Sequence, residues 1–114
     1  MASSGSTSAF EINIMATANL ISNRFVSSSG GVPVVGGNTL GVIRHPVSSG
    51  TTGTVDVLGT AVVETGGIIA QYATIGVDAL GRAVTWTSGA KVGQALFSGV
   101  SGDFIEVLLI PNVA

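Results

Sequence analysis

Seventeen glycines cut this chain of 114 residues into short apolar pieces, and that punctuation limits what it can fold into. Glycine supplies the positive φ of tight turns and weakens any helix it interrupts. The pieces between turns alternate instead of following a 3.6-residue period. In Phe10-Glu11-Ile12-Asn13-Ile14-Met15, apolar Phe10, Ile12 and Ile14 are separated by Glu11 and Asn13, the pattern of a half-buried strand. Leu20 to Val26 is rich in Ile, Phe and Val and is expected to be extended. Val32-Pro33-Val34-Val35 is expected to be an edge strand, because Pro33 lacks an N–H. Gly36-Gly37-Asn38 is a turn signal, followed by a strand from Leu40 to Arg44 that Pro46 stops.

Thr54 to Leu58 and Ala61 to Glu64 form two short strands, with Gly59-Thr60 as a bend or bulge between them. From Ile68 to Val77 a short turn or helix-like piece leads into a strand. Asp78-Ala79-Leu80-Gly81 is a hairpin turn with Arg82 to Trp86 as its return. Val92 to Phe97 and Asp103 to Ile110 make a final hairpin. Strands recur roughly every 10 residues, which predicts an all-β domain, a single small barrel or sandwich of short antiparallel strands. There is also an internal echo. Leu40-Gly41-Val42-Ile43-Arg44 leads through a small-residue loop to Val55-Asp56-Val57-Leu58, and Val92-Gly93-Gln94-Ala95-Leu96 leads through another to Ile105-Glu106-Val107-Leu108.

The start, Met1-Ala2-Ser3-Ser4-Gly5-Ser6-Thr7-Ser8, carries no basic-then-apolar signal, so it is expected to be a flexible arm and not a signal peptide. The expected division is an arm with a terminal strand over 1–15 and the β domain over 16–114. No apolar run reaches the about 18 residues of a membrane-spanning helix, so no membrane partner is expected.

Charge narrows the function. Charged residues are 9% of the chain and hydrophobic ones 46%, against about 25% charged in ordinary soluble domains. Such a deficit is expected where part of the surface is covered in use. Four basic residues are too few to track phosphates, so nucleic acid is not an expected partner. Cysteine is absent, which removes disulfides, thiolate nucleophiles and thiolate metal sites.

The one histidine, His45, precedes Pro46 with no G-x-S-x-G elbow anywhere in the chain. One His with scattered carboxylates offers no metal constellation beyond a calcium site built partly from loop carbonyls, so no cofactor is expected. Asp56 and Glu106 are mid-strand and are taken as structural, not as an acid–base pair. The expectation is a non-enzymatic binder. Phe10, Ile12, Ile14 and Arg24 are the candidate partner-binding residues, with the 10–15 strand available to add to a partner's sheet or to close the protein's own. Tyr72 and Trp86, the two large amphipathic aromatics, are candidates for an interface between copies.

From Val32 to Pro111 the order of elements is similar to one known family. An L-G-V-I strand (Leu40 to Ile43) leads to T-V-D-V-L-G-T-A-V-V (Thr54 to Val63). A connector with Ile68-Ile69 follows, then D-A-L-G-R-A-V-T (Asp78 to Thr85), V-G-Q-A-L (Val92 to Leu96) and G-D-F-I-E-V-L-L (Gly102 to Leu109). This resembles the small head decoration, or capsid cement, proteins of tailed bacteriophages. The resemblance implies a protein made in the host cytoplasm and carried on the outer surface of the virion. It implies a homotrimer on the major capsid protein at three-fold and quasi-three-fold positions, reinforcing the shell without a cofactor. The competing reading is a non-catalytic carbohydrate-binding or host-attachment module, which would also be all-β.

Overall fold

Short alternating segments can bury one face only by pairing, and here they pair into one antiparallel sheet. The structure is a computed structural model that describes residues 8–110. Its strands are β1 (Ser8–Met15), β2 (Arg24–Val26), β3 (Gly41–Ile43), β4 (Thr52–Glu64), β5 (Thr74–Val77), β6 (Ala83–Thr85), β7 (Gly93–Ala95) and β8 (Phe104–Leu109). They follow the order β2-β3-β4-β8-β7-β5-β6, with β1 added to β4. The ends of this sheet approach each other. The Phe25 N–H donates to Gly81 O (2.7 Å), and the Gly36 N–H donates to Val77 O (3.0 Å). The sheet is thereby nearly closed into a barrel, the all-β architecture expected from the sequence. The expected arm falls largely at residues 1–7, outside the described residues, as does the tail from 111.

Three local expectations are corrected. Val32 to Val35 forms no strand. Pro33 has no N–H to offer, and the Gly37 N–H turns back to Val34 O (2.9 Å), so the segment closes a turn. The extended run from Leu20 shortens to β2, because Asn23 adopts a φ of 62° and breaks it. The two strands expected between Thr54 and Glu64 are one. Gly59, at a φ of 93°, absorbs the irregularity without ending the strand. Ahead of β5, the helix-like piece is a turn in which the Ala73 N–H donates to Ala70 O (3.1 Å). The hairpins at Asp78–Gly81 and between β7 and β8 form where expected.

The second half of the chain repeats the first, bond for bond. The Ala16 N–H donates to Thr51 O (2.9 Å), as the Thr65 N–H does to Asp103 O (2.8 Å). Leu20 bridges Val47 as Ile69 bridges Gly99. Asn23 donates to Ile43 O (2.9 Å) as Tyr72 donates to Ala95 O (2.8 Å), and Leu40 donates to Val26 O (2.8 Å) as Val92 donates to Ile75 O (2.9 Å). Strand registers agree as well. Met15 faces Thr52 and Ile12 faces Val55, while Glu64 faces Phe104 and Ala61 faces Val107. The first part of β4 is thus the last strand of one unit, and its second part is the first strand of the next. The echo visible in sequence is real but its register differs. Val55 matches Val107, so Asp56 stands where Leu108 does, and the carboxylates Asp56 and Glu106 are not equivalent.

Each unit has its own core. Ala16, Leu20, Val26, Ile43, Val47 and Val55 fill the first, and Ile69, Ile75, Ala95, Ile105 and Val107 belong to the second. β2 and β3 lie between them. Val26 and Ile43 enter the first core, while Phe25 and Val42 enter the second. At one equivalent site the same space is filled from opposite strands. Val47 packs over Gly53 in the first unit, and Ile105 packs over Gly99 in the second.

Gly41 and Gly93 hold equivalent places where two strands approach closely. A Cβ on Gly41 would overlap Asp56 O, and one on Gly93 would lie 2.7 Å from Leu108 O. Gly50 has open space around it and only its φ of 86° to restrict it. Gly41→Ala should therefore cost about 3 kcal/mol or more, and Gly50→Ala only about 1–2 kcal/mol of left-handed backbone strain. Urea denaturation of the two variants beside the wild type measures the difference, and equal midpoints would contradict the packing described.

Candidate functional site

A strand whose two faces are both apolar needs two coverings. β8 reads Phe104-Ile105-Glu106-Val107-Leu108-Leu109. Ile105, Val107 and Leu109 are buried in the core, and Phe104 and Leu108 are exposed on the other face. Leu108 faces Thr60 of β4 and Phe104 faces Glu64. Leu58 lies two residues along β4, opposite Phe10 of β1. Phe10, Leu58, Phe104 and Leu108 thus line one broad outer face, continued by exposed Ile110. Glu106 sits within it and accepts a hydrogen bond from Thr60 Oγ1. An exposed apolar face of this kind marks a contact surface.

The candidate residues of β1 divide. β1 pairs with the chain's own β4 from Ser8 to Met15, which is the closing role weighed for it in sequence. Ile12 and Ile14 are half-buried against the first core. A bulge between Phe10 and Glu11 separates Phe10 from them, and Phe10 is exposed. The Ala16 N–H donates to Thr51 O, just ahead of β4, so by alternation the backbone of Glu11 and Asn13 faces the open edge.

Behind this edge sits an ionic cluster. Asp56, 2% exposed, receives two hydrogen bonds from Arg44, Nε to Oδ2 at 3.2 Å and Nη2 to Oδ1 at 3.0 Å. Glu11 closes on the same Arg44 Nη2. The hydrogen bond to Asp56 is the largest influence holding the Arg44 pKa above its ordinary value, opposed by desolvation and aided by the charges of Asp56 and Glu11. Folded-state stabilisation of that sign is complete below the unfolded pKa and is lost only as pH rises through the folded one. Arg44 therefore stays charged at every pH near neutrality.

Arg24 is held elsewhere. It pairs with Glu64 at 3.1 Å and reaches Leu80 O at 3.5 Å. It walls a groove of about 140 Å³ together with Ile21, Val32 and Leu80. Tyr72 is exposed in a turn at a φ of 67°. Trp86 is half-buried, its Nε1 donates to Gly89 O at 3.0 Å, and Lys91 Nζ lies 4.7 Å from its ring centre. The cleft beside it, about 160 Å³, is lined by Val35, Gly36 and Thr87 among others. His45 is exposed in the loop after β3.

Leu58, Phe104, Leu108 and Ile110 were not singled out in sequence, nor were exposed Ile68, Phe97 and Val100. For β8 the signal was present, since apolar residues at both parities of one strand imply that both faces are covered.

No protein-family model matches the chain, and no curated protein does. Among solved structures it is similar to the N base of the head fiber gp8.5 of bacteriophage phi29. The TM-score is 0.73 at 16% sequence identity, over 92% of this chain and 98% of that one. At that identity the likeness shows a shared fold.

Removing Arg44 would leave the buried Asp56 carboxylate without its charged partner. Breaking a fully buried pair costs about 3–5 kcal/mol. Arg44 is itself 40% exposed, so Arg44→Ala should cost nearer about 2 kcal/mol after screening. Glu11→Gln should cost under about 1 kcal/mol, as for a surface pair. Thermal melts at neutral pH test the order, which fails if the two variants are equally stable.

Proposed function

We propose that this protein is a structural component of a bacteriophage head. It is carried on the outer surface of the virion, binds the major capsid protein as a homotrimer at three-fold and quasi-three-fold positions, and reinforces the shell. The observation that carries this reading is the exposed apolar face formed by Phe10, Leu58, Phe104 and Leu108, on a fold similar to that of a phage head fiber base. The order of sequence elements that resembles the head decoration proteins supports the narrower assignment.

The exposed β1–β4–β8 face, with Phe10, Leu58 and Leu108, is the side offered to the shell, beside Arg24 in its groove. Contacts of this kind are individually weak. Many copies per head, each touching neighbouring subunits of the shell, turn them into a clamp through avidity. Trimerisation multiplies the contacts that each bound unit makes.

Heads purified with the protein should carry it at a count that is a multiple of their three-fold sites. Heads lacking it should release DNA at a lower temperature than complete heads, and adding purified protein should restore the difference. Leu58→Thr with Leu108→Thr should fold normally and weaken binding to heads. Equal heat resistance with and without the protein would point instead to display or host attachment, and a folded double variant with unchanged binding would clear the β4–β8 face of the role.

A further inference from the structure

The internal repeat provides a control inside the molecule. Two loop ends have the same backbone, so exposed residues that differ between them are not demanded by that backbone. In the second unit, the segment around Ile69 runs antiparallel to the segment around Gly99, held by Ile69 N–H to Gly99 O (2.9 Å) and Gly99 N–H to Ile69 O (3.0 Å). Four large apolar side chains stand out from this end. Ile68 is 81% exposed, Tyr72 63%, Val100 56% and Phe97 39%. Ile68 and Val100 flank the bridge and face each other across it.

The equivalent positions of the first unit hold Asn19, Asn23, Ser48 and His45. All four are polar, on a backbone with the same hydrogen bonds. The contrast is sharpest at Asn23 and Tyr72. Both adopt positive φ, 62° and 67°. Asparagine tolerates that conformation, whereas for a tyrosine it is strained. An exposed tyrosine kept where its own repeat uses asparagine indicates a role outside the fold.

We infer that the end formed by Ile68, Tyr72, Phe97 and Val100 is the face through which the protein binds a second copy of itself. This rests on the self-association proposed above and says which surface performs it. Two observations select a second copy. First, no Asp, Glu, Lys, Arg or His occurs from 65 to 77 or from 92 to 102. A charge-free apolar face can pack against further copies of itself around a three-fold axis, and the copies meet there without a like-charge penalty although each chain carries a net charge of −2. Second, the area suffices. The four side chains leave roughly 500 Å² exposed, so three such faces converging remove up to about 1,500 Å² from water, within the size range of a specific interface.

The test is a swap within the repeat: Ile68→Asn, Tyr72→Asn, Phe97→His and Val100→Ser in one chain. The first unit already carries these residues on this backbone, so folding is expected to survive, with an unchanged far-UV spectrum. A second variant, Tyr72→Asn alone, relieves the strained φ and should melt no lower than the wild type. Sedimentation equilibrium of the full chain should find the wild type associated. The swap should weaken association by about 30-fold or more, the effect of losing an interface hot spot.

A folded swap variant that associates as tightly as the wild type overturns the inference and leaves self-association standing on another surface. Unchanged association with lost binding to heads also overturns it, and places the shell on this face. A wild type that stays monomeric both in solution and on heads overturns self-association itself. Loss of head binding by the wild type with self-association intact would overturn the proposed function and leave this face in place.

Discussion

Everything in this sheet depends on β4 running unbroken past Gly59. Its first part pairs with β1 and β3, and its second part pairs with β8. Val55 enters the first core, while Ala61 and Val63 enter the second. If the strand ended at Gly59, each unit would lose its central partner, and an isolated set of so few short strands is marginal in water. The positive φ of Gly59 lets the backbone bend without interrupting the ladder. Because both cores share this strand and the buried pair β2–β3, opening one unit exposes apolar surface of the other. That coupling favours one cooperative transition over two.

Much of this was legible in the sequence because turn chemistry is local. Asp78 to Gly81 formed its hairpin where the Asp and Gly placed it, with Asp78 Oδ1 accepting from the Leu80 and Arg82 N–H groups at 2.9 and 2.8 Å. The β7–β8 hairpin followed from alternation. What failed was non-local. Val32 to Val35 has strand composition, but the chain turns back on itself from Gly37 to Val34 instead of pairing along a neighbour. Gly59 resembles a break, and only β1 and β8 on either side of it make the strand continuous.

The repeat was half legible for a related reason. The carboxylates Asp56 and Glu106 invite alignment, yet the true register follows the close-packed Gly41 and Gly93 and the turn pairs Ser49-Gly50 and Ser101-Gly102. Compensating exchanges such as Val47 over Gly53 for Ile105 over Gly99 erase the similarity while keeping the volume. Of the candidate site, Phe10 and Tyr72 are exposed, whereas Ile12 and Ile14 went to the core because a bulge offset them from Phe10. Exposure depends on what covers a strand, and no single segment records that.

The few charges are used inside the molecule. Arg24 pairs with Glu64, Arg82 with Asp78, and Arg44 with Asp56 and Glu11. Lys91 lies over Trp86. Asp103 accepts from the Val100 N–H, and Glu106 accepts from Thr60. All four basic and all six acidic side chains thus have an internal partner. Little field is left to steer an encounter, so association should proceed at an unassisted rate and depend weakly on salt. Specificity must then come from the shape of apolar faces, and persistence from their number. A surface of that kind is suited to repeated attachment on a large, regular assembly, where weak contacts recur at fixed spacing. The two loop ends differ in the same respect. A duplicated unit supplies two equivalent ends, and at four matched positions one end carries large apolar side chains where the other carries Asn19, Asn23, His45 and Ser48.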